Sequence, residues 1–294
     1  MESLSWRCYR VAMREKSGLG ARGKLRPDWG ILGGLLLLLM CVPIIHFYLY
    51  DAQSTASLRK LVWHWPFLRV LVLDDILTAL VLLIVVLVTR RARKMTLGQV
   101  FGWYGMTSVD FRQVLVALLS TIPLLAVIGW SKALGGDVHI NSEPCTRVHF
   151  LLLNVVLYEE VIFRGLFFRN LRARYPFWRA CIITALAGVL FHVPGAVRAV
   201  LHGAPPGSEL LWLIQIMAYG ISQSYLYERG GYSLWGCILL HFAADWGVFL
   251  TVGLPVNSIT VANVLGAAIP YALIIAPFVI YPVFDAFRGK RRRS

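Results

Sequence analysis

Charge is what this chain has little of. Only 15% of its 294 residues are charged, against about a quarter in an average soluble domain. Acidic residues are the scarcer sign, with 15 Asp and Glu against 29 Lys and Arg. Together with a 58% hydrophobic composition, this excludes an ordinary soluble globular domain and reads as a membrane-embedded chain. The net charge of +14 could serve a nucleic acid, but the basic residues sit in short clusters between apolar runs rather than on one amphipathic face. They read as topology signals, and no nucleic-acid partner is expected. The cysteines, Cys8, Cys41, Cys145, Cys181 and Cys237, are odd in number and widely spaced, so no disulfide framework is implied. Internal repeats, low-complexity tracts and a separate soluble domain are all missing, and so is the HExxH pattern of a zinc peptidase.

Long apolar runs take the place of these features. A bilayer core about 30 Å thick needs roughly 20 mostly apolar residues per helix, and about eight runs qualify. They lie near 31–50, 67–89, 114–131, 149–168, 178–198, 210–227, 232–254 and 259–285. The predicted fold class is therefore all-α, a polytopic membrane protein. Lys and Arg accumulate before the first run, after the second (Arg90, Arg91, Arg93, Lys94), between the fourth and fifth (Arg169, Arg172, Arg174, Arg179) and in the tail. By the positive-inside rule both termini are cytoplasmic. The chain divides into a basic arm (1–28), an N-terminal region with three transmembrane helices (29–147), a core (148–254), and a last helix with a basic tail (255–294). The first run follows basic residues, as a signal peptide would, but it is long for a signal core and reads as a span. Residues 95–113, with Phe101, Trp103, Tyr104 and Phe111, are too polar to cross and read as an interfacial helix. Trp63, Trp65, Trp130 and Trp178 suit interfacial belts, Asp74 and Asp75 with Arg69 an ion pair at the membrane surface, and His202-Gly203 with Pro205 and Pro206 a turn.

An ionisable side chain inside a span costs several kcal/mol, so it marks a functional site by default. Glu159, Glu160 and Arg164 lie in the fourth span, His192 in the fifth, and His241 with Asp245 in the seventh. Residues four apart share a helix face whereas neighbours diverge by about 100°, so Glu160 pairs with Arg164 and Glu159 is left to point elsewhere. His241 and Asp245 share a face by the same spacing. Counted at about 1.5 Å per residue from the cytoplasmic loops, His241, Glu159 and His192 lie roughly 14, 15 and 21 Å deep.

These residues also form a known pattern. Glu159-Glu160-Val161-Ile162-Phe163-Arg164 is an EExxxR signature, Phe191-His192-Val193-Pro194 closes a second motif, and Tyr225 to Arg229 leads through Ser233-Leu234-Trp235 to a third at His241-Phe242-Ala243-Ala244-Asp245. Over about residues 148–250 the chain resembles the CAAX-processing and bacteriocin-processing (CPBP) family of intramembrane proteases, of which CAAX prenyl protease 2 is one type. It departs in two places: Gly188 stands where the family's FxxxH has Phe, and Asp245 stands where Asn is frequent.

The resemblance implies an intramembrane endopeptidase, glutamic in type and working without a required metal or cofactor. Glu159 would be the general base, His192 would help hold the water, and His241 and Asp245 would face the oxyanion, with Arg164 holding the charge of Glu160. Its partners would be the lipid bilayer and a peptide or protein substrate, possibly lipidated: a CAAX tail, a leader peptide or a sorting tag. The membrane implied is the prokaryotic cytoplasmic membrane, with the endoplasmic reticulum as the alternative. Three rival readings remain: a non-catalytic scaffold or immunity protein of the same fold, a zinc-dependent membrane protease using the two histidines and a carboxylate, and a proton-coupled transporter.

Overall fold

The computed structural model describes residues 33–34, 77–123, 125–126, 129, 138–140, 156–252 and 271–286. The first apolar run, apart from residues 33–34, lies outside the described residues, as do Trp63, Trp65, Trp130, Arg69, Asp74, Asp75, Cys8, Cys41 and Cys145.

Helix dominates. In chain order the helices are α1 (Leu77–Arg93), α2 (Leu97–Tyr104), α3 (Phe111–Ser120), the single turn α4 (Leu157–Glu159), a π-helix (Glu160–Phe168), α5 (Arg169–Arg172), α6 (Phe177–Leu201), α7 (Pro206–Arg229), α8 (Trp235–Phe249) and α9 (Tyr271–Ala286). The remaining regular structure among the described residues is a two-stranded antiparallel ribbon. It pairs β1 (Val138–Ile140) with β2 (Leu250–Val252), placing His139 opposite Thr251. The seventh run thus ends as a helix at Phe249, five residues short of the expected boundary at 254.

The short helices start where capping chemistry dictates. Thr96 accepts from the Gln99 backbone N–H while the Gln99 side chain accepts from the Thr96 N–H, a reciprocal capping box that opens α2 within the expected interfacial segment. Asp110 caps α3 by accepting from the N–H groups of Arg112 and Gln113. Pro206 occupies the first turn of α7, where its missing N–H has no partner to lose, and Gly203 at φ +97° makes the expected turn before it.

α2 and α3 carry the turn between α7 and α8. Gly105 ends α2 at φ +85°, and a Cβ there would stand 1.8 Å from the Tyr232 carbonyl oxygen, so only glycine fits. Leu234 N–H donates to Gly105 O at 3.1 Å, the Tyr227 hydroxyl to Tyr104 O at 3.0 Å and the Ser233 hydroxyl to Ser108 O at 2.9 Å. Gln113 extends from α3 into the same turn. Its amide donates to Ser233 O at 2.7 Å and Leu226 O at 3.2 Å, and its oxygen accepts from the Gly236 N–H at 3.1 Å. The start of α8, and with it the depth of His241, is fixed by these bonds.

α6 is the one helix among the described residues both long and apolar enough to cross a membrane. Trp178, Ile182, Leu186, Leu190, Val197 and Leu201 lie exposed along it at intervals of about one to two turns. Such an uncovered apolar stripe is unusual in a soluble monomer and suits a lipid-facing surface. α6 runs through Pro194 to Leu201, three residues past the expected boundary at 198. Proline removes one backbone donor, and the helix continues beyond it. α7 is long enough to span, but Gln215, Ser222, Gln223 and Ser224 lower its hydropathy. Cys181 and Cys237 are free and buried, as expected from their spacing.

Candidate active site

Both glutamates sit at a change of helix type. α4 passes at Glu159 into nine residues whose backbone bonds span i to i+5, ending with Arg169 N–H on Arg164 O. π-Helical turns are rare and concentrate at functional sites. Every residue of the segment is buried, and Gly165 lets the Tyr104 ring approach so closely that a Cβ would lie 3.1 Å from it. A regular α-helix was the expectation for 149–168, and the described part departs from it. The wider helix is held by packing on all sides, a tertiary effect that local sequence does not encode.

Around this segment all six expected side chains come together in two groups. In the first, Glu159 Oε1 lies 3.8 Å from His192 Nε2 across the gap between α4 and α6. The other ring nitrogen, His192 Nδ1, is 2.8 Å from the Gly188 carbonyl, to which it can only donate. A neutral His192 therefore presents an unprotonated Nε2 to Glu159. This bond uses a backbone oxygen and is indifferent to the side chain at 188, so glycine in place of the family's Phe costs it nothing. The Phe191 ring, beside His192, packs with its centroid 5.8 Å from that of Phe163 and 6.2 Å from that of Tyr158.

The second group is a chain of four. Arg164 Nη1 lies 3.2 Å from Glu160 Oε1, the pairing expected from their spacing. The same oxygen lies 2.7 Å from His241 Nδ1, and His241 Nε2 lies 3.5 Å from Asp245 Oδ2. Glu160 is completely buried and Arg164 and His241 nearly so, whereas Asp245 keeps 26% of its side chain exposed. A buried carboxylate is tolerable only with such partners. Asp245 lies within electrostatic range of Glu159 and of His192, so the two groups form one site.

Two features were not anticipated. Glu160 holds His241 as well as Arg164, a contact between residues 81 apart in the chain. α7 adds rings to both groups: Trp212, 38% exposed, meets His192 edge-on at 5.5 Å, and Tyr219 meets His241 at 5.4 Å. Gln215, Tyr219, Ser222 and Gln223 recur at helical spacing, and that polar seam was the available signal. Glu228, in the third motif, lies apart and forms a two-pronged ion pair with Arg172 at 2.7 and 3.0 Å, tying α5 to α7. Among the described residues no group of three or more His, Cys, Asp or Glu side chains is arranged to hold a metal ion.

Residues 141–247 match the family model of the Rce1-like type II CAAX prenyl endopeptidases. This match agrees with the resemblance read from the three motifs, and the matched segment contains all six residues. No curated protein and no solved structure matches the chain. The matched segment is about a third of the chain, and over it the chain is similar to a family of CAAX prenyl endopeptidases.

Proposed function

We propose that this protein hydrolyses a peptide bond near the C-terminus of a prenylated substrate, using a water activated by Glu159. The observation that carries the reading is the 3.8 Å separation of Glu159 Oε1 and His192 Nε2, with His192 Nδ1 committed to the Gly188 carbonyl. That gap is too wide for a direct hydrogen bond and leaves two acceptors facing each other. A water between them donates one hydrogen to each, which turns its lone pairs toward an incoming carbonyl carbon.

Glu159 takes a proton from the water as its oxygen bonds to the scissile carbon. The carbonyl oxygen becomes an oxyanion, met by His241 Nε2 carrying a proton. Glu160 stabilises that imidazolium through Nδ1, and Arg164 keeps Glu160 ionised. When the carbon–nitrogen bond breaks, the proton on Glu159 passes to the leaving amine, and a carboxylic acid and a free peptide result. A metal is not required by this scheme, because every proton has a named carrier. The rival in which a scaffold binds without turnover predicts that the same peptide is bound and recovered whole.

The test uses the full chain in lipid vesicles with a farnesylated peptide ending in a CAAX sequence. Mass spectrometry should find the last three residues released and the farnesylcysteine left as the new C-terminus. Intact peptide after prolonged incubation with folded protein would overturn the reading.

A further inference from the structure

The polar side chains of α7 nearest the site belong to none of the three sequence motifs. Tyr219 sits one turn before Gln223, with its ring against the His241 imidazole at 5.4 Å and 66°. The Gln223 amide nitrogen donates to the Tyr219 hydroxyl oxygen and also lies 3.4 Å from the Cys237 carbonyl. That second contact fixes which end of the amide is nitrogen, since an amide oxygen there would oppose a carbonyl oxygen. The Tyr219 oxygen is therefore an acceptor toward Gln223, and its own hydrogen remains to be donated. No described group takes it. The charged side chains that act on Tyr219 are Glu160, Asp245 and Arg164, the other three members of the chain built on His241.

We infer that the Tyr219 hydroxyl is a second oxyanion donor, acting beside His241. This rests on the proposed peptidase reading and assigns a further catalytic residue to it. An oxyanion next to the Asp245 carboxylate is opposed by charge, and a neutral O–H relieves this without adding another ion to the site. Acceptance of the Gln223 hydrogen polarises the hydroxyl and makes it a better donor. The ring contact holds Tyr219 and His241 side by side on two helices, so that two donors can serve one oxyanion.

Tyr219→Phe keeps the ring and removes only the hydroxyl, so the fold is not at stake. With the farnesylated peptide and the full chain in vesicles, it should lower kcat about a hundredfold with KM nearly unchanged, as loss of a donor used only in the transition state requires. Gln223→Leu frees the hydroxyl to rotate and should cost less than Tyr219→Phe. Tyr219→Phe at wild-type kcat, or reduced only in proportion to its folded fraction, overturns the assignment, because a ring that merely packs is fully replaced by Phe. Glu159→Gln run in parallel separates the two readings. If it is inactive while Tyr219→Phe is fully active, only the tyrosine assignment fails; if wild-type protein leaves the peptide intact, the peptidase reading fails and takes this inference with it.

Discussion

His241 is tied at both ring nitrogens to carboxylates, Glu160 at 2.7 Å and Asp245 at 3.5 Å, and this decides what each acid can do. Glu160 is the anchor, fully buried and paired with Arg164, and is committed to keeping His241 in place. Asp245 is partly exposed and lies on the Nε2 side of His241, the side that the proposed reaction gives to the oxyanion. A charged Asp245 beside an oxyanion would raise the barrier, so its useful role is to orient His241 or to donate as a neutral group. Asparagine matches its size and supplies an N–H. Asp245→Asn should therefore keep most of the turnover, whereas Asp245→Ala should lose ten- to a thousandfold, about the range for loss of an oxyanion donor. If Asn proves as inactive as Ala in a folded protein, the carboxylate charge itself is needed. The intrahelical pairs of this site, Glu160 with Arg164 and His241 with Asp245, were legible because spacing alone sets which residues share a face. Glu160 with His241 was not legible, since that bond depends on how two distant helices cross.

Helix ends and turns were readable where a side chain acts on its own backbone. The capping box at Thr96, the cap at Asp110 and the Pro206 start of α7 all follow from local chemistry. The π-helix at Glu160–Phe168 and the passage of α6 through Pro194 follow from neighbours and left no local signature. Gln113 shows the same division. It is one polar residue within the apolar stretch around α3, yet it is completely buried and serves three backbone groups of the α7–α8 turn. Leucine at this position would leave Leu226 O, Ser233 O and Gly236 N–H without that partner in a dry setting, at about 1–3 kcal/mol for each group that finds no replacement. Gln113→Leu should accordingly lower the thermal unfolding midpoint measured in detergent by several degrees. Because the turn sets the depth of His241, activity should fall below what the loss of folded protein explains. An unchanged midpoint would mean that α8 is held by other contacts.

At the scale of the molecule, three helices from a 107-residue stretch bring one carboxylate–imidazole pair and one four-residue chain into a single site, within the segment that matches the CAAX endopeptidase family. Order along the chain was visible in the sequence, as was the placing of the ionisable residues on separate apolar runs. Their convergence was not, because tilt and crossing are set by packing between helices. The apolar stripe on α6 and the polar seam on α7 place the site between a surface suited to lipid and a wall of hydrogen-bonding groups. The account turns on one assignment: Glu159, free of Arg164 and facing His192, is the base, and Glu160 is not. The most direct test is kcat of Glu159→Gln on the farnesylated peptide, with the full chain in vesicles and its thermal midpoint recorded alongside. The account predicts an unfolding midpoint close to wild type and turnover reduced by at least about a hundredfold, the contribution of a lost general base. Wild-type turnover by Glu159→Gln would contradict it.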